Sequence, residues 1–251
     1  MANLLKKHGS SLDPDCQAFL TATGISDPTI STAICVFVAA LKTAGIWDKS
    51  YCLYPFVGGT ADTHHYNLKD PQDTDAAFRI DLWNDITHDS GGVHPDSADT
   101  GSNARTTFSP SADLSADSMM YTGAIADNTT NDGYVMGQSG GVNMLSRNAL
   151  SGGFFSAANL INDGTGVADG CISLGNNDTD SILYKNGSHL KTVSGGWTPV
   201  AALVFAVAGT GKADLGAHLF SAITEFLDAT EVSDFHDAIS TLNDTLGRKT
   251  W

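Results

Sequence analysis

The amino-acid sequence predicts a mainly β protein, an antiparallel β-sandwich with two helices before it and one after it. Short apolar segments alternate with runs of Gly, Asp, Ser, Asn and Thr through the middle of the chain, and many short strands joined by turns are typical of a sandwich. Apolar residues at helical spacing lie near the two chain ends. A chain of 251 residues buries a substantial core as one domain, which we favour over two small domains.

Two helices are predicted near the start of the chain. Asp-Pro pairs at 13–14 and 27–28 mark their first residues, because the carboxylate caps the helix and Pro is tolerated at the first helical position. Gly24 and Gly45 mark their ends as left-handed caps. The chain is thereby divided into three segments of one compact unit: helical residues 1–48, a sandwich over 49–227 and a C-terminal helix over 228–251.

The helices are predicted to pack on a core through one apolar face each. Asp228 and Glu231 have the spacing of a capping box, which predicts the start of the last helix, and Gly247 predicts its end. The apolar residues that recur at helical spacing are Ile30, Ile34, Phe37 and Leu41 in the second helix, and Val232, Phe235, Ile239, Leu242 and Leu246 in the last.

Strand signals begin after residue 50. Phe78, Ile80 and Leu82 alternate with Arg79, Asp81 and Trp83, which predicts a half-buried antiparallel strand. The run 200–208 is nearly all apolar and predicts a central strand covered on both faces, and 213–226 is expected to carry the closing strand. Further short strands are predicted at four apolar runs: 119–121, 134–136, 154–161 and 171–174.

Asn186 and Gly187 predict a β-hairpin. Both residues favour the positive φ angles that a type I′ turn requires, so the strands on either side are expected to pair directly. The expected cross-strand pairs are Lys185 with Ser188, Tyr184 with His189, and Leu183 with Leu190.

Composition argues against two classes of partner. The formal net charge is −15, from 28 acidic and 13 basic residues, so we expect neither nucleic acid nor an anionic membrane. No apolar run reaches the roughly 20 residues that cross a bilayer, and the first residues lack the apolar core of a signal peptide.

The cysteines show no C-x-x-C spacing; they are Cys16, Cys35, Cys52 and Cys171. This predicts free, buried thiols in a protein made in a reducing cytoplasm.

Three parts of the sequence resemble a known family. Residues 54–79 read YPFVGGTADTHHYNLKDPQDTDAAFR, with Thr87-His88 shortly after them. Residues 17–47 contain AF..A.GI.D.T...AI...V..LK..GIW, and residues 231–248 form an acidic helix start that runs to Thr-Leu-Gly-Arg. In these parts the chain resembles bacteriophage structural proteins that are built on a concanavalin A-like, laminin-G-like β-sandwich.

The resemblance implies a concanavalin A-like jelly roll in a virion protein, either a capsid decoration or a tail or fibre component. Such a protein is made in the host cytoplasm and held as an oligomer by copies of itself and by other virion proteins. In that fold the first and last strands are neighbours, which implies that the helices sit together at one end of the sandwich. They are expected either to cap the core or to form an assembly platform whose apolar residues include Phe37, Leu41, Phe235 and Leu242.

Residues for catalysis are sparse. Glycoside hydrolysis requires a pair of carboxylates, but Glu225 and Glu231 are the only glutamates, and no E-x-D-x-x-E, nucleophile elbow or P-loop occurs. An aspartate pair leaves a polysaccharide depolymerase as an alternative. His64 and His65 are adjacent, so on a strand they point to opposite faces, which favours structural roles over a shared metal. We expect a non-enzymatic protein with no catalytic residues.

Two candidate binding sites follow from the residue types. Carboxylates in the loop 85–99 are ligands that Ca²⁺ takes, with a solvated acidic loop as the alternative: Asp85, Asp89, Asp96 and Asp99. A lectin that binds host-surface glycan requires an aromatic platform beside amide or carboxylate groups. The chain offers Trp83, Tyr134, Asn176, Asn177, Asp178 and Trp197 for that role, and the sequence does not show whether they converge.

Overall fold

The computed structural model describes residues 12–96, 103–114, 118–126, 134–138, 143–145, 153–155, 160–162, 169–195, 204–207, 216–248 and 251. The helices are α1 (Pro14–Thr23), α2 (Pro28–Thr43), α3 (Ala61–His64), α4 (Pro110–Asp113) and α5 (Ala229–Thr245), with a 3₁₀ turn at Asp75–Ala77. The strands are β1 (Ser50–Tyr54), β2 (Ile80–Asn84), β3 (Ile86–Asp89), β4 (Gly92–Pro95), β5 (Asn103–Thr106), β6 (Met119–Ala126), β7 (Tyr134–Gln138), β8 (Asn143–Leu145), β9 (Gly153–Phe155), β10 (Leu160–Asn162), β11 (Gly170–Asn176), β12 (Asp180–Lys185), β13 (Ser188–Ser194), β14 (Val204–Val207) and β15 (Ala217–Glu225). None of the described helices is long and apolar enough to cross a membrane.

The strands form two antiparallel sheets, so the prediction of a mainly β, antiparallel protein is confirmed. One sheet has the order β13-β12-β11-β6-β15-β4-β3, with β1 also paired to β15, and the other has the order β10-β9-β8-β7-β14-β5-β2. The strand pairs in both sheets are antiparallel. The first and last strands are neighbours, as the resemblance implied.

Two hydrophobic cores lie on opposite faces of the eight-stranded sheet. On β6, Met119, Tyr121 and Ile125 face the core between the two sheets, while Met120 and Ala124 face a second core beneath the helices. The molecule therefore has three layers: helices, the eight-stranded sheet and the seven-stranded sheet.

The helices cover a sheet face, which corrects the expectation that they sit at one end of the sandwich. Cys16 of α1, Phe37 of α2 and Phe235 of α5 belong to the same core as Phe220 of β15. The physical reason is that β6, β11 and β15 carry mainly apolar or small residues on both faces, so the outer face of their sheet must also be covered.

The predicted helix boundaries are confirmed by their caps. The Asp13 carboxylate accepts a hydrogen bond from the amide of Asp15, and the Asp27 carboxylate accepts bonds from the amides of residues 29 and 30. Asp228 and Glu231 form the reciprocal bonds of a capping box at the start of α5. Each of the three helices is followed by a glycine in the left-handed region, at positions 24, 45 and 247.

The four proposed assembly residues lie in the chain's own core, which corrects their assignment. Phe37, Leu41, Phe235 and Leu242 are at most 1% exposed. The Phe37 and Phe235 rings both meet the ring of Phe220 edge-on, with centroids 5.4 Å and 5.9 Å away. These side chains fasten the helical layer to the sheet and present no surface to another molecule.

The Asn186-Gly187 hairpin is confirmed at its turn and corrected in its register. Asn186 and Gly187 have φ angles of 49° and 77°, and Lys185 pairs with Ser188 as expected. Tyr184 also pairs with His189 as predicted, but the register then shifts, and Leu183 pairs with Lys191 instead of Leu190. A β-bulge inserts one residue at this point, which turn chemistry alone does not specify.

Two other strand predictions need adjustment. Phe78 has a φ of 55° and ends the 3₁₀ turn, so β2 begins at Ile80 and not at Phe78. The run 154–161 contributes to two paired strands, β9 and β10, and not to one. By contrast, β14 lies between β7 and β5 with Val204 and Val207 buried, which agrees with the predicted central strand.

The cysteine prediction holds for two of the four residues. Cys52 and Cys171 are free and buried, but Cys16 and Cys35 form a disulfide that joins α1 to α2. The two residues lie 19 apart in the sequence with Cα atoms 5.1 Å apart. They meet because the two capped helices fold back on each other, a tertiary contact that cysteine spacing does not reveal.

Candidate functional site

The segment 54–79 is organised by the buried side chain of Asn67. Its Oδ1 accepts hydrogen bonds from the amides of Leu53 (2.9 Å) and Lys69 (3.1 Å). Its Nδ2 donates to the carbonyls of Tyr51 (3.0 Å) and Ala77 (3.1 Å). The amide therefore ties β1 to the turn that leads into β2, and both of its polar atoms are engaged within the protein.

Aromatic and histidine side chains of the same segment are also engaged inside the fold. The Tyr54 hydroxyl contacts the carbonyl of Phe78 and the Thr106 hydroxyl. His64 lies at the end of the helical turn α3, which a capping box at Thr60 begins. The expected strand at His64 and His65 is therefore a helical turn, although the two imidazoles still point apart: His64 is buried, and His65 lies near Asp73.

The hydrogen bonds of His64 define its tautomer. Nε2 of His64 accepts a hydrogen bond from the amide of Gly59 (3.2 Å), and Nδ1 lies 3.0 Å from Nδ1 of His88 on β3. A neutral imidazole that accepts at one nitrogen donates at the other, so His64 donates to His88. Burial lowers the pKa of His64 to about 3, which keeps the ring neutral.

Arg248, just beyond α5, links several segments around His64 by hydrogen bonds. Its guanidinium donates to the backbone carbonyls of Pro55, Phe56, Ser90 and Leu219 and to the Asn243 side chain. Burial lowers the pKa of Arg248 to about 10. The guanidinium thereby connects the chain end, the 54–79 segment, the β3–β4 hairpin and β15.

A cavity of about 350 Å³ opens beside Arg248. The hairpin contributes Asp89 and His94, whose Oδ1 and Nε2 atoms are 3.0 Å apart, and the amide of Gly91 donates to the same oxygen (2.7 Å). Burial opposes ionisation of Asp89, but the hydrogen bonds from His94 and the Gly91 amide prevail and lower its pKa. The remaining lining is Ser90, Ala126, Ala217, Leu219, Leu246, Gly247 and Arg248.

This cavity is lined by a carboxylate, an imidazole and apolar side chains, an arrangement that suits a small polar ligand. Sequence reasoning singled out Asp89 for a different purpose and missed the contribution of Arg248. A signal was present, because Thr87-His88 and Arg248 both belong to the resemblance, and the folded chain brings them to the 54–79 segment.

The predicted calcium ligands do not converge among the residues that the structure describes. The Asp96 carboxylate accepts from the Thr87 hydroxyl (2.7 Å), and the backbone of Asp96 donates to the carbonyl of Asp85. Asp89 is paired with His94, and Asp99 lies outside the described residues. Within the described ranges, no group of three or more His, Cys, Asp or Glu is placed to hold a metal ion.

The predicted glycan residues are divided between the interior and a tight loop. Asn176 is fully buried on β11, and its carbonyl accepts from Ser118. Asn177 accepts from the amides of Thr179 and Asp180, which shapes the loop, while Asp178 is exposed with a φ of 72°. Trp197 lies outside the described residues, as do the side chains of Trp83 and Tyr134.

A buried serine–histidine pair joins α5 to the sheet. Nδ1 of His236 accepts from the amide of Gly187 (2.6 Å), and Nε2 lies 2.7 Å from Oγ of Ser173. The neutral ring must therefore donate to Ser173, whose hydroxyl also meets that of Thr122 (2.6 Å). A general base accepts the proton of its serine. In this pair the imidazole donates to the serine instead, as in a structural hydrogen bond between α5 and the sheet.

Acid is expected to destabilise the protein through its buried histidines. Burial lowers the pKa of both His64 and His236 to about 3, against 6.5 when exposed. Between pH 6.5 and pH 3, the unfolded chain therefore binds protons at these histidines that the folded chain does not bind. The free energy of unfolding that is present above pH 6.5 is lost as the pH falls toward 3. We expect a slope of about 1.4 kcal/mol per pH unit for each histidine.

Urea unfolding between pH 7 and pH 5 measures this slope above the range where carboxyl groups titrate. His236→Gln should remove its own share of the slope, and the rest should remain, because burial also lowers the pKa of His64, His65 and His88. An unchanged pH dependence in that variant would contradict the assignment.

Gly92→Ala is expected to destabilise the β3–β4 hairpin by about 2 kcal/mol or more. Gly92 has a φ of 128°, and a Cβ atom there would overlap the carbonyl oxygen of His218 on β15. Gly45→Ala is the matched control, because Gly45 also has a positive φ but open space around it. Chemical unfolding of both variants separates the steric overlap from the cost of φ alone, and equal losses would refute the overlap.

Comparisons with known proteins give remote similarities. No family model matches the chain, and no curated protein matches it. A sialidase from Trypanosoma rangeli in complex with sialic acid aligns with a TM-score of 0.47 and 9% identity, over 74% of this chain and 32% of the sialidase. Domain 4 of AbnA, an extracellular arabinanase of family GH43 from Geobacillus stearothermophilus in complex with arabinotriose, aligns with a TM-score of 0.46 and 13% identity, over 74% and 98%.

The binding domain of botulinum neurotoxin serotype D aligns with a TM-score of 0.44 and 9% identity, over 77% of this chain and 52% of that domain. The chain thus spans about a third of the sialidase and about half of the toxin domain. At such identities and scores, these similarities carry no conclusion about function.

Proposed function

We propose that this protein is a non-enzymatic structural protein of a bacteriophage particle, built on a lectin-like β-sandwich. The observation that carries the proposal is the hydrogen-bonded cluster of Arg248, His64 and His88, called the Arg248 joint below. The Arg248 guanidinium reaches carbonyls of the 54–79 segment and of the β3–β4 hairpin. His64 and His88 meet at the same joint, so residues from separate parts of the resemblance form one hydrogen-bonded framework.

The chemistry of this framework supports a scaffold more than an active site. Asn67, Tyr54 and Arg248 bond mainly to backbone carbonyls and amides. Such bonds hold segments in place, and a group that is engaged in this way is not aimed at a substrate. The donor role of His236 toward Ser173 likewise favours a non-enzymatic protein.

Mass spectrometry of purified particles tests the proposal. A structural protein should be recovered with intact particles at a fixed ratio to the main capsid protein, and it should remain after washing with high salt. Recovery of the chain only in the soluble fraction of the lysate, throughout particle production, would refute the virion role. Labelled antibodies viewed by electron microscopy then distinguish a capsid decoration from a tail or fibre component.

Carbohydrate binding is a second candidate, favoured by the cavity at Asp89 and His94. A carboxylate and an imidazole beside apolar side chains are groups that fix the orientation of sugar hydroxyls. Sugar binding and a virion role do not exclude each other, since a particle component can also contact the host surface.

Binding of the protein to a panel of host polysaccharides, with and without Ca²⁺, tests this role. If it holds, Asp89→Ala should weaken binding by about tenfold or more, because the cavity loses its carboxylate. Asp96→Ala is the control, since Asp96 lies on the same hairpin but does not line the cavity. Absence of binding to every polysaccharide, or equal losses in the two variants, would reject the role. Release of reducing ends would instead indicate a depolymerase.

A further inference from the structure

The disulfide between Cys16 and Cys35 has one end in the core and the other near the surface. Cys16 of α1 is fully buried, whereas Cys35 of α2 is only partly buried. Thr32 and Ala39 lie on the same face of α2 as Cys35, one turn before it and one turn after it, and both are exposed. A small solute can therefore reach the disulfide from the side of Cys35.

The helix α1 depends on α2 for its position. It has ten residues, fewer than the roughly 12–15 that an isolated helix needs in water. Among the described elements it packs mainly on α2, and its Phe19 and Leu20 side chains are buried in the core beneath the helices. Lys42 of α2 also pairs with Asp13 and Asp15, but partly exposed ion pairs contribute little to stability.

The disulfide adds a covalent constraint to this contact. It closes a loop between two residues that are 19 apart in the sequence. A cross-link over such a loop favours the closed state by roughly a hundredfold, because it takes conformational freedom from the open state. When the bond is reduced, α1 should therefore detach from α2 more readily. The helices α2 and α5 should stay in place, because the Phe37 and Phe235 rings hold them against Phe220 of β15.

The other two cysteines are protected from thiol exchange. Cys52 on β1 and Cys171 on β11 are both free and fully buried. Burial raises the pKa of the Cys52 thiol to about 12 and that of Cys171 well above its ordinary value. The thiolate is the reactive form of cysteine, so these two residues serve as internal references for the accessible pair.

We propose that the Cys16–Cys35 disulfide is a redox-sensitive link, which fastens α1 to α2 only in oxidising surroundings and which small thiols open at Cys35. A protein that is made in a reducing cytoplasm would carry the open link, and it would acquire the closed link on release into oxidising surroundings. The inference does not depend on the proposed virion or carbohydrate-binding roles.

The opening reaction is a thiol–disulfide exchange in two steps. The thiolate of a small thiol, such as glutathione, forms a bond to Sγ of Cys35. The bond between Cys35 and Cys16 breaks, and Cys16 leaves as a thiolate that takes up a proton. A second thiolate then attacks the sulfur of the small molecule in the mixed disulfide, so that Cys35 also leaves and is protonated. The protein is reduced to two thiols, and the small thiol is oxidised to its disulfide.

Mass spectrometry of the folded full chain tests the chemistry. The protein is equilibrated in buffers of different ratios of reduced to oxidised glutathione, and its free thiols are then alkylated. Cys16 and Cys35 should become labelled together as the buffer becomes more reducing, while Cys52 and Cys171 stay unlabelled. Mixed disulfides with glutathione should be found on Cys35 in excess over Cys16.

Amide hydrogen exchange tests the effect on the fold. Exchange in α1 should be about tenfold or more faster in the reduced protein than in the oxidised protein, and exchange in α5 should not change. Cys16→Ser with Cys35→Ser is the matched control, because it should exchange like the reduced protein whether or not thiol is present.

The unmodified chain in its two redox states provides the decisive comparison, so the test does not require that the double variant folds. Four outcomes would each overturn the proposal: absence of the bond from air-oxidised protein, resistance of the bond to thiols until urea unfolds the chain, equal exchange of α1 in the two redox states, or acceleration in α5 as large as in α1. Mixed disulfides mainly on Cys16 would overturn the assignment of Cys35 as the site of opening.

Discussion

Asn67→Ala is expected to lower the free energy of unfolding by about 4 kcal/mol, because it removes four hydrogen bonds at a fully buried position. The amide of Leu53 and the carbonyls of Tyr51 and Ala77 would each lose this partner inside the protein, and a buried group without a partner costs about 1–3 kcal/mol. Chemical unfolding followed by circular dichroism measures the loss.

Two further variants separate the loss of these hydrogen bonds from a general effect of substitution in the segment. Asn67→Asp preserves the shape but sets a carboxylate oxygen against the carbonyls of Tyr51 and Ala77, so it should destabilise at least as strongly at neutral pH. Gln72→Ala removes an exposed amide of the same segment and should change stability by less than about 0.5 kcal/mol. A loss below about 1 kcal/mol in Asn67→Ala would mean that the segment does not depend on this side chain.

Phe220→Ala is expected to destabilise the protein by about 3–5 kcal/mol. Phe220 is fully buried on β15, and its ring contacts Phe37 of α2 and Phe235 of α5 edge-on. The substitution would open a cavity between the helical layer and the sheet, so amide hydrogen exchange in α2 and α5 should accelerate more than exchange in β6 and β11.

Val36→Ala is the control for this prediction, because Val36 lies on α2 but is 48% exposed. It should cost less than about 1 kcal/mol. If Phe220→Ala accelerated exchange equally in all three layers, the helical layer would be part of one cooperative unit with both sheets, and the predicted separate loosening would be wrong.

The parts of the fold that were predicted correctly depend on local chemistry. Asp27 caps α2 because its carboxylate reaches amides two and three residues later, and Gly24 ends α1 because it adopts a positive φ at no steric cost. The turn at Asn186 and Gly187 follows in the same way. Each of these features is decided within about one helical turn or hairpin turn of sequence.

The candidate site was predicted less well, since it joins residues that are far apart in the chain. Asp89 was selected for its carboxylate, but the sequence did not show that His94 would pair with it or that Arg248 would line the same cavity. Likewise, Asn176 appeared suited to bind sugar, yet the fold buries it on β11. Residue type indicates which contacts a side chain can make. Tertiary contacts determine whether its polar groups are already buried or bonded within the protein.

The segment 54–79 shows the division most clearly. The sequence alone singled out this stretch as part of a resemblance, and by local caps it determined where the principal helices begin and end. Only the tertiary structure decided that the helices cover a face of the eight-stranded sheet, that Cys16 joins Cys35, and that Arg248 closes the joint with His64 nearby. The physical reason is that capping and turn formation act over a few residues, whereas burial of a two-sided sheet is satisfied by whichever distant segments fit against it.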